Sequence, residues 1–224
     1  MTRAHDMGGR FGDGPVRPEL ENVVFGSYWH ARALAITLAC GSLGLWNIDA
    51  SRHARECLPP KDYFRFSYYE RWLAGLTTML VENGALTAEE LMMGEAIGPS
   101  DLTNRKLVAN SVNDFLTKGS PTDRLVSKKS IYKYGDLVKT RAFPENMDVT
   151  GGHTRLPSYA AGATGYVLLR HGAHVLPDSN AHGLGEAAEP LYAVAFKASD
   201  LWAQPNNSDD EVILDLWQSY LVLA

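Results

Sequence analysis

Cysteine is scarce in this chain of 224 residues, which contains only Cys40 and Cys57. A small scaffold held together by disulfides needs more cysteines than this, and a closed structural zinc site uses four Cys or His ligands. Cys40 lies in an apolar stretch with helical character, and Cys57 stands just before the pair Pro59-Pro60. We therefore expect two reduced, half-buried thiols.

Basic clusters and long apolar runs are also missing. The net charge is -5, the pI is near 5.8, and Lys and Arg are scattered along the chain. Nucleic acid and anionic membrane surfaces are therefore not expected as partners. No stretch is apolar enough for a signal peptide or a membrane span, so we expect a cytoplasmic protein.

No sequence motif supplies a self-contained active site. His171, His174 and His182 are the best candidates for metal ligands, but the glycines and proline among them predict turns rather than a helix that would align them. The run 162–165 is not followed by the Lys-Ser/Thr of a phosphate-binding loop, and no Gly-x-Ser-x-Gly elbow occurs. Cys57 has no recognisable partner histidine in its sequence context. We expect no metal ligands within this chain.

Helical patterns dominate the first ninety-odd residues. They follow a Gly-rich arm of about fifteen residues, which is expected to lie against a partner. Apolar residues predict a buried helix from about Ser27 to Cys40, and a short helix from about Ile48 to Cys57 is stopped by the proline pair. Capping-box patterns at Ser67/Glu70 and Thr87/Glu90 predict two further helices.

The pattern changes after residue 95. Residues 96–130 contain one modest helix, around Lys106 to Leu116, and are interpreted as a linker. Beyond them, β-type runs alternate with turns, at Leu137–Thr140, Tyr166–Leu169, Tyr192–Phe196 and Val212–Leu216. The predicted fold class is α+β, with an N-terminal arm and helical domain at 1–95, a linker at 96–130 and a small antiparallel SH3-like β-barrel at 131–224.

Short motifs are spread over the whole chain in one order. They are His5-Asp6-Met7-Gly8-Gly9, Gly12-x-Gly14-Pro15-Val16, Ser51-Arg52 with Arg55-Glu56, Tyr68-Tyr69-Glu70-x-Trp72, Gly152-His153-Thr154-Arg155-x-Pro157-x-Tyr159, Gly165-Tyr166-Val167, His171-Gly172-Ala173, His182-Gly183-Leu184-Gly185-Glu186, Leu191–Phe196 and Asp215-Leu216-Trp217. In this order they resemble the beta subunit of nitrile hydratase, a heteromeric enzyme that adds water to a nitrile to give an amide. Each motif alone is weak, but the set covers both predicted parts of the chain, which makes the resemblance highly specific.

The resemblance implies a role for two arginines. In that family the metal is bound by the alpha subunit, on a Cys-rich claw with two cysteines oxidised to sulfinic and sulfenic forms. Arg52 and Arg155 match the beta-subunit arginines that reach the oxygens on those sulfurs. By composition alone each would be a surface or ion-paired arginine. A planar guanidinium that keeps its proton suits such buried anionic oxygens, and lysine would be a poor substitute.

The same resemblance places Ile48, Ser51, Tyr68 and Trp72 at the wall of the substrate pocket. Tyr68 would donate a hydrogen bond to substrate or water, and Ile48 and Trp72 would form apolar sides for a nitrile. Trp72 also fits the core stripe of its helix, so core packing stays open for it. Ser51 stands where some relatives carry a bulky aromatic residue, which would widen the pocket.

Two further arginines affect this interpretation. Arg71 stands where some relatives carry histidine. Arg55 lies one helical turn from Arg52 and is a second candidate for the anion-binding role.

The resemblance implies an αβ heterodimer with the alpha subunit. It favours an α2β2 tetramer, but whether the heterodimers pair stays open. The stretch from His171 to Glu186 is more similar to the cobalt subgroup than to the iron subgroup. Cobalt(III) is therefore the expected metal and iron(III) the alternative, in both cases bound by the alpha subunit. Whether the metal binds the nitrile or activates the attacking oxygen stays open.

Two other functions fit parts of the sequence. Thiocyanate hydrolase is a related enzyme in which the equivalent region is divided into two polypeptides, and the undivided chain argues against it. A non-catalytic accessory protein that loads metal into the alpha subunit would be shorter and would lack the joint presence of Arg52 and Arg155.

Overall fold

The computed structural model describes residues 4–8, 17–18 and 23–224, so most of the predicted N-terminal arm lies outside the described residues. As far as they are described, residues 1–5 and 13–120 form one unit, here called unit 1, and residues 6–12 and 121–224 form unit 2. Unit 1 is helical, and unit 2 contains the β-strands. The predicted α+β class is confirmed. No helix among the described residues is long and apolar enough to cross a membrane.

The described residues of unit 1 form six α-helices: α1 (Tyr28–Gly41), α2 (Ile48–Glu56), α3 (Pro60–Arg65), α4 (Tyr68–Glu82), α5 (Ala88–Met93) and α6 (Val112–Lys118). Local capping explains several of their starts. The Glu70 carboxylate accepts from the backbone N–H of Ser67 at 2.7 Å, and Glu90 accepts from that of Thr87 at 2.9 Å. Both predicted capping boxes are therefore confirmed.

Helix α3 was not predicted, because the pair Pro59-Pro60 was interpreted only as the end of the preceding helix. Pro60 occupies the first position of α3, where the backbone N–H that proline lacks has no helical partner in any case. The predicted helix around 106–116 is wrong at its start. Lys106 and Val108 have extended backbones, and α6 begins only at Val112 after two short 3-10 turns, Thr103–Arg105 and Ala109–Ser111.

Helix α4 is the centre of unit 1, and α1 and α2 both pack against it. Gly75 permits the approach of α2, since a Cβ atom there would lie 2.8 Å from Cγ and 3.3 Å from the backbone N of Arg55. The interpretation of α1 as a buried helix is wrong for this chain. Ala33 is the buried residue of α1, whereas Tyr28 is 85% exposed, because α4 covers only one flank of an otherwise apolar helix.

Unit 2 is built on a five-stranded antiparallel sheet in the order β4-β3-β2-β1-β5. The strands are β1 (Leu137–Thr140), β2 (Thr164–His174), β3 (Glu189–Lys197), β4 (Glu211–Trp217) and β5 (Leu221–Leu223), with the one-turn helices α7 (Pro177–Asn180) and α8 (Ala198–Leu201) between strands. Strand β1 has the predicted bounds. Strands β2, β3 and β4 each extend beyond the predicted runs, and β5 was missed.

The sheet is curled but not closed. Strands β4 and β5 occupy opposite edges, yet only the 3-10 turn Gln218–Tyr220 separates them along the chain. The two edges must therefore approach each other at that end, although the described strands show no backbone pairing between them. The predicted barrel is thus an open, curled sheet. It encloses a core that includes the fully buried residues Val138, Leu156, Val167, Tyr192, Phe196, Leu216 and Tyr220.

Candidate functional site

The candidate residues of unit 1 lie on two packed helices and are here called the helical patch: Ile48, Ser51, Arg52 and Arg55 on α2, and Tyr68 and Trp72 on α4. The four α2 residues are spaced i, i+3, i+4 and i+7, so they share one face of the helix. Tyr68 and Trp72 lie one turn apart at the start of α4. Tyr68 is 61% exposed and Ile48 is 47% exposed.

Arg52 is held by its own helix. Its Nη1 donates to Asp49 Oδ1 at 2.9 Å, and its side chain remains 41% exposed while that of Asp49 is 4% exposed. A partly exposed pair of this kind contributes little to stability. It does orient the guanidinium, which has five N–H donors and therefore retains capacity for an anion.

Arg55 lies over the Trp72 ring of the helical patch. Its Nε donates to the carbonyl of Ser51 at 3.0 Å, and its Cζ lies 4.9 Å from the Trp72 ring centroid. The Trp72 and Tyr68 rings are 5.4 Å apart. Burial lowers the pKa of the Arg55 guanidinium, with a smaller lowering from Arg52, and Tyr68 opposes this. Because its charged form is disfavoured, Arg55 gains from an anionic neighbour.

Arg155 lies in unit 2 on the segment Asn146–Pro157, here called the Arg155 loop. Arg155 is exposed, but its neighbours His153, Thr154 and Leu156 are buried. Its backbone N–H donates to the Tyr220 hydroxyl at 3.2 Å. The loop thus anchors its backbone in unit 2 while the guanidinium reaches the surface.

The buried Asn146 side chain ties the Arg155 loop together. Its Nδ2 donates to the carbonyl of His153 at 2.6 Å and to that of Asp178 at 2.8 Å, and its Oδ1 accepts from the N–H groups of Asp148 and Val149, each at 2.9 Å. Gly152 lies where no side chain fits, since a Cβ atom would be 2.9 Å from Asn146 Nδ2.

A polar network continues beneath the loop. The Tyr220 hydroxyl, which receives the Arg155 N–H, donates to Asp178 Oδ1, and Arg141 Nη2 lies 3.8 Å from Asp178 Oδ2. Burial raises the pKa of Asp178, and the hydrogen bond from Tyr220 and the charge of Arg141 only partly oppose this. Burial, followed by the Asp178 charge, also raises the pKa of Tyr220. Asn146, Asp178, Arg141 and Tyr220 were not predicted as parts of the site, because they meet only through the fold.

The histidines considered as metal ligands each have a protein partner in unit 2. His171 Nε2 lies 2.8 Å from Asp215 Oδ1, and His174 Nδ1 lies 3.1 Å from Thr122 Oγ1. His182 Nε2 accepts the backbone N–H of His153 at 2.9 Å. His182 therefore helps to hold the Arg155 loop.

The prediction that Cys57 has no partner histidine is wrong. Cys57 follows the last residue of α2, and its Sγ lies 3.4 Å from Nε2 of His53. The helical spacing of four residues was the signal that would have found this pair.

Similarity to known proteins extends over nearly the whole chain. The family model described as nitrile hydratase beta subunit, N-terminal, matches residues 1–116, and the model described as nitrile hydratase beta subunit, C-terminal, matches residues 121–223. A low-molecular weight cobalt-containing nitrile hydratase subunit beta from Rhodococcus rhodochrous is 33% identical, with 100% of both chains covered. A nitrile hydratase subunit beta from Pseudomonas putida is 35% identical, with 99% of each chain covered.

Two further proteins are similar to this chain. The cobalt-containing nitrile hydratase subunit beta of Pseudonocardia thermophila is 31% identical over 100% of this chain and 97% of its own. Among solved structures, the recombinant apo-enzyme of thiocyanate hydrolase from Thiobacillus thioparus aligns with a TM-score of 0.38 and 26% identity, covering 43% of this chain and 78% of that chain.

Proposed function

This chain belongs to the nitrile hydratase beta-subunit family, and we propose that it serves as the beta subunit of an enzyme that hydrates nitriles to amides. The similarity spans both units and essentially the whole length of the relatives. In this proposal the alpha subunit is the partner and binds the metal. Cobalt is the proposed metal because two of the similar proteins are named as cobalt-containing.

The proposed role of Arg52 and Arg155 is to donate hydrogen bonds to anionic oxygens on the oxidised cysteines of the alpha subunit. The metal held there would supply Lewis acidity toward the nitrile or water. The main support for this proposal comes from Arg155. Its guanidinium is exposed and has no acceptor among the described residues, and its loop is fixed by buried hydrogen bonds. A fixed backbone lets the guanidinium fork meet paired oxygens without a large loss of loop entropy.

The proposed pocket wall is the exposed edge of the helical patch. Tyr68 presents its phenol to solvent beside Trp72, and Ile48 adds an exposed apolar side chain on α2. Ser51 shares that face without adding bulk. The Tyr68 hydroxyl offers a hydrogen-bond donor beside the apolar surfaces of Ile48 and Trp72, which suits a small nitrile with a single polar end.

Exposed apolar side chains on unit 1 support the proposal that a large protein partner binds there. They occur on α1 and in and just after α5: Tyr28, Ile36, Leu38, Leu91, Met92, Met93 and Ile97. Groups of exposed apolar side chains are typical of surfaces that a protein partner covers.

The test of the arginine proposal uses the complex obtained by co-expressing this chain with its alpha subunit in cobalt-supplemented medium. Arg52→Lys and Arg155→Lys are expected to lower the rate of amide formation at least about tenfold, because lysine keeps the charge but loses the fork. Arg65→Lys is the matched control, since Arg65 also bonds an aspartate three residues earlier at 2.9 Å. Full activity in both variants would refute the role.

The same preparation separates the subunit from an accessory protein. Purification through this chain is expected to recover the alpha subunit with about one cobalt per pair and nitrile-to-amide activity. A chain that purifies alone and only raises the metal content of a separate enzyme would establish the accessory function instead.

A further inference from the structure

A second cluster of reactive side chains lies at the C-terminal end of α2. It consists of His53, Glu56 and Cys57, at positions i, i+3 and i+4. Cys57 Sγ is 3.4 Å from His53 Nε2, and His53 Nδ1 is 3.7 Å from Glu56 Oε2. Cys57 is exposed, whereas the side chains of His53 and Glu56 are 21% and 11% exposed. The thiol therefore faces solvent at the end of an otherwise sheltered chain of polar contacts.

The order of groups is that of an activated nucleophile: a thiol, an imidazole within hydrogen-bonding reach, and a carboxylate that orients the ring. The backbone supports this order, since the Cys57 N–H donates to the His53 carbonyl at 3.0 Å and so continues the helical spacing. A hydrogen bond to Cys57, and to a smaller extent one to Glu56, raises the pKa of His53 to about 9. The ring is therefore protonated at neutral pH. The C-terminal end of α2 also favours a cation at this position. A protonated ring can donate to a thiolate sulfur.

We propose that Cys57 is a modification site, an activated thiol that reacts with soft electrophiles through the assistance of His53 and Glu56. With an alkyl halide, the sulfur forms a bond to carbon, the carbon–halogen bond breaks, halide leaves, and the proton that the thiol has given to His53 passes from the ring to solvent. With a peroxide, the sulfur attacks one oxygen, the O–O bond breaks, and the departing oxygen takes the proton. Cys57 is then oxidised to sulfenic acid and the peroxide is reduced.

Cys40 provides an internal comparison. It lies in α1, is half-buried, and burial raises the pKa of its thiol. The chain has no other cysteine. Trypsin separates the two thiols, because cleavage after Arg55 and Lys61 releases Cys57 on peptide 56–61, whereas Cys40 falls on peptide 33–52. One digest therefore reports both reaction rates.

The experiment measures alkylation by iodoacetamide at pH 7, using the purified complex and mass spectrometry of these two peptides. An ordinary thiol is only a few per cent ionised at pH 7, so full activation accelerates the reaction by at most about thirtyfold. Cys57 is expected to react about ten- to thirtyfold faster in the native protein than in the urea-denatured chain, and Cys40 more slowly than in the denatured chain. This readout does not depend on nitrile hydration.

His53→Gln tests the assistance directly. The variant is expected to slow Cys57 alkylation about tenfold while the Cys40 rate stays unchanged, and an unchanged Cys40 rate shows that unit 1 is still folded. The proposal is overturned if native Cys57 reacts no faster than denatured Cys57, or if Cys57 in folded His53→Gln keeps the wild-type rate. The native-to-denatured comparison decides the matter even if the variant does not fold.

Discussion

Replacing Asn146 by alanine removes the side chain that joins the Arg155 loop to α7. The wild-type amide makes four hydrogen bonds, to the carbonyls of His153 and Asp178 and from the N–H groups of Asp148 and Val149. Asp148 is exposed, and Val149 is half-buried, so water can replace their partner. His153 and Asp178 are buried, at 0% and 4% exposure, and their carbonyls lose a donor that water cannot readily supply.

The expected cost follows from those two carbonyls. A buried polar group left without a partner costs about 1 to 3 kcal/mol, and each carbonyl keeps a second lone pair that other donors can reach. We therefore expect Asn146→Ala to lower the free energy of unfolding of unit 2 by about 2 to 4 kcal/mol. This corresponds to a roughly 30- to 1000-fold increase in the population of its unfolded form.

Native-state hydrogen exchange followed by mass spectrometry measures this loss within unit 2. The slowest amides of the central strand β3 exchange through global opening of the unit, so their rates should rise by the same factor. Asn207→Ala is the matched control. Asn207 also accepts from an N–H two residues on and donates to a neighbouring aspartate, but it is exposed. Its replacement should change β3 exchange less than about threefold.

An effect of Asn146→Ala no larger than that of Asn207→Ala would refute this reasoning. It would mean that the Asn146 hydrogen bonds do not contribute to the stability of unit 2, and the argument that a fixed loop presents Arg155 would lose its support.

Two further predictions concern the stability of unit 1. Gly75→Ala should destabilise unit 1 by about 1 kcal/mol in urea denaturation, because overpacking against Arg55 outweighs the better helix propensity of alanine. Gly41→Ala, at an open position at the end of α1, should be neutral or stabilising, and equal effects of the two would contradict the close approach of α2 to α4. The pKa of His53 is raised from 6.5 to about 9, so its contribution to stability is complete below pH 6.5 and is lost as the pH rises through about 9. Urea denaturation should show this decline in the wild type and not in His53→Gln, and identical pH profiles would be evidence against a protonated His53.

Local signals in the sequence were sufficient for much of the fold. The capping boxes at Ser67 and Thr87 operate within one helical turn, and β1 lies between clear turn residues, so each was predicted at or near its observed position. The α+β class follows from the same local periodicities. The motifs that contain Arg52 and Arg155 can also be recognised in the sequence. They indicated a function only because they occur in the same order as the other motifs of the family.

Elements that depend on distant residues were not predictable in this way. Strand β5 has three residues, too few for a pattern, and it exists because its backbone pairs with β1. The ends of β2 and β3 extend beyond the apolar runs because they pair with each other, across two register shifts in β2. The exposure of α1 likewise depends on what packs against it. An apolar sequence shows that a helix face can be buried, but it does not show which part of the protein, or which partner, will pack against that face.

For the candidate site, the sequence by itself determined which residue types are present: arginines that keep their charge, a tyrosine and tryptophan one turn apart, and a histidine four residues before a cysteine. Only the tertiary structure decided their partners. Arg55 lies over Trp72 because Gly75 lets α2 approach α4, and Asn146 bonds the Asp178 carbonyl across 32 positions of sequence. The physical reason is that a hydrogen bond or ring contact forms by proximity in space, and the chain brings such groups together only when its core is packed.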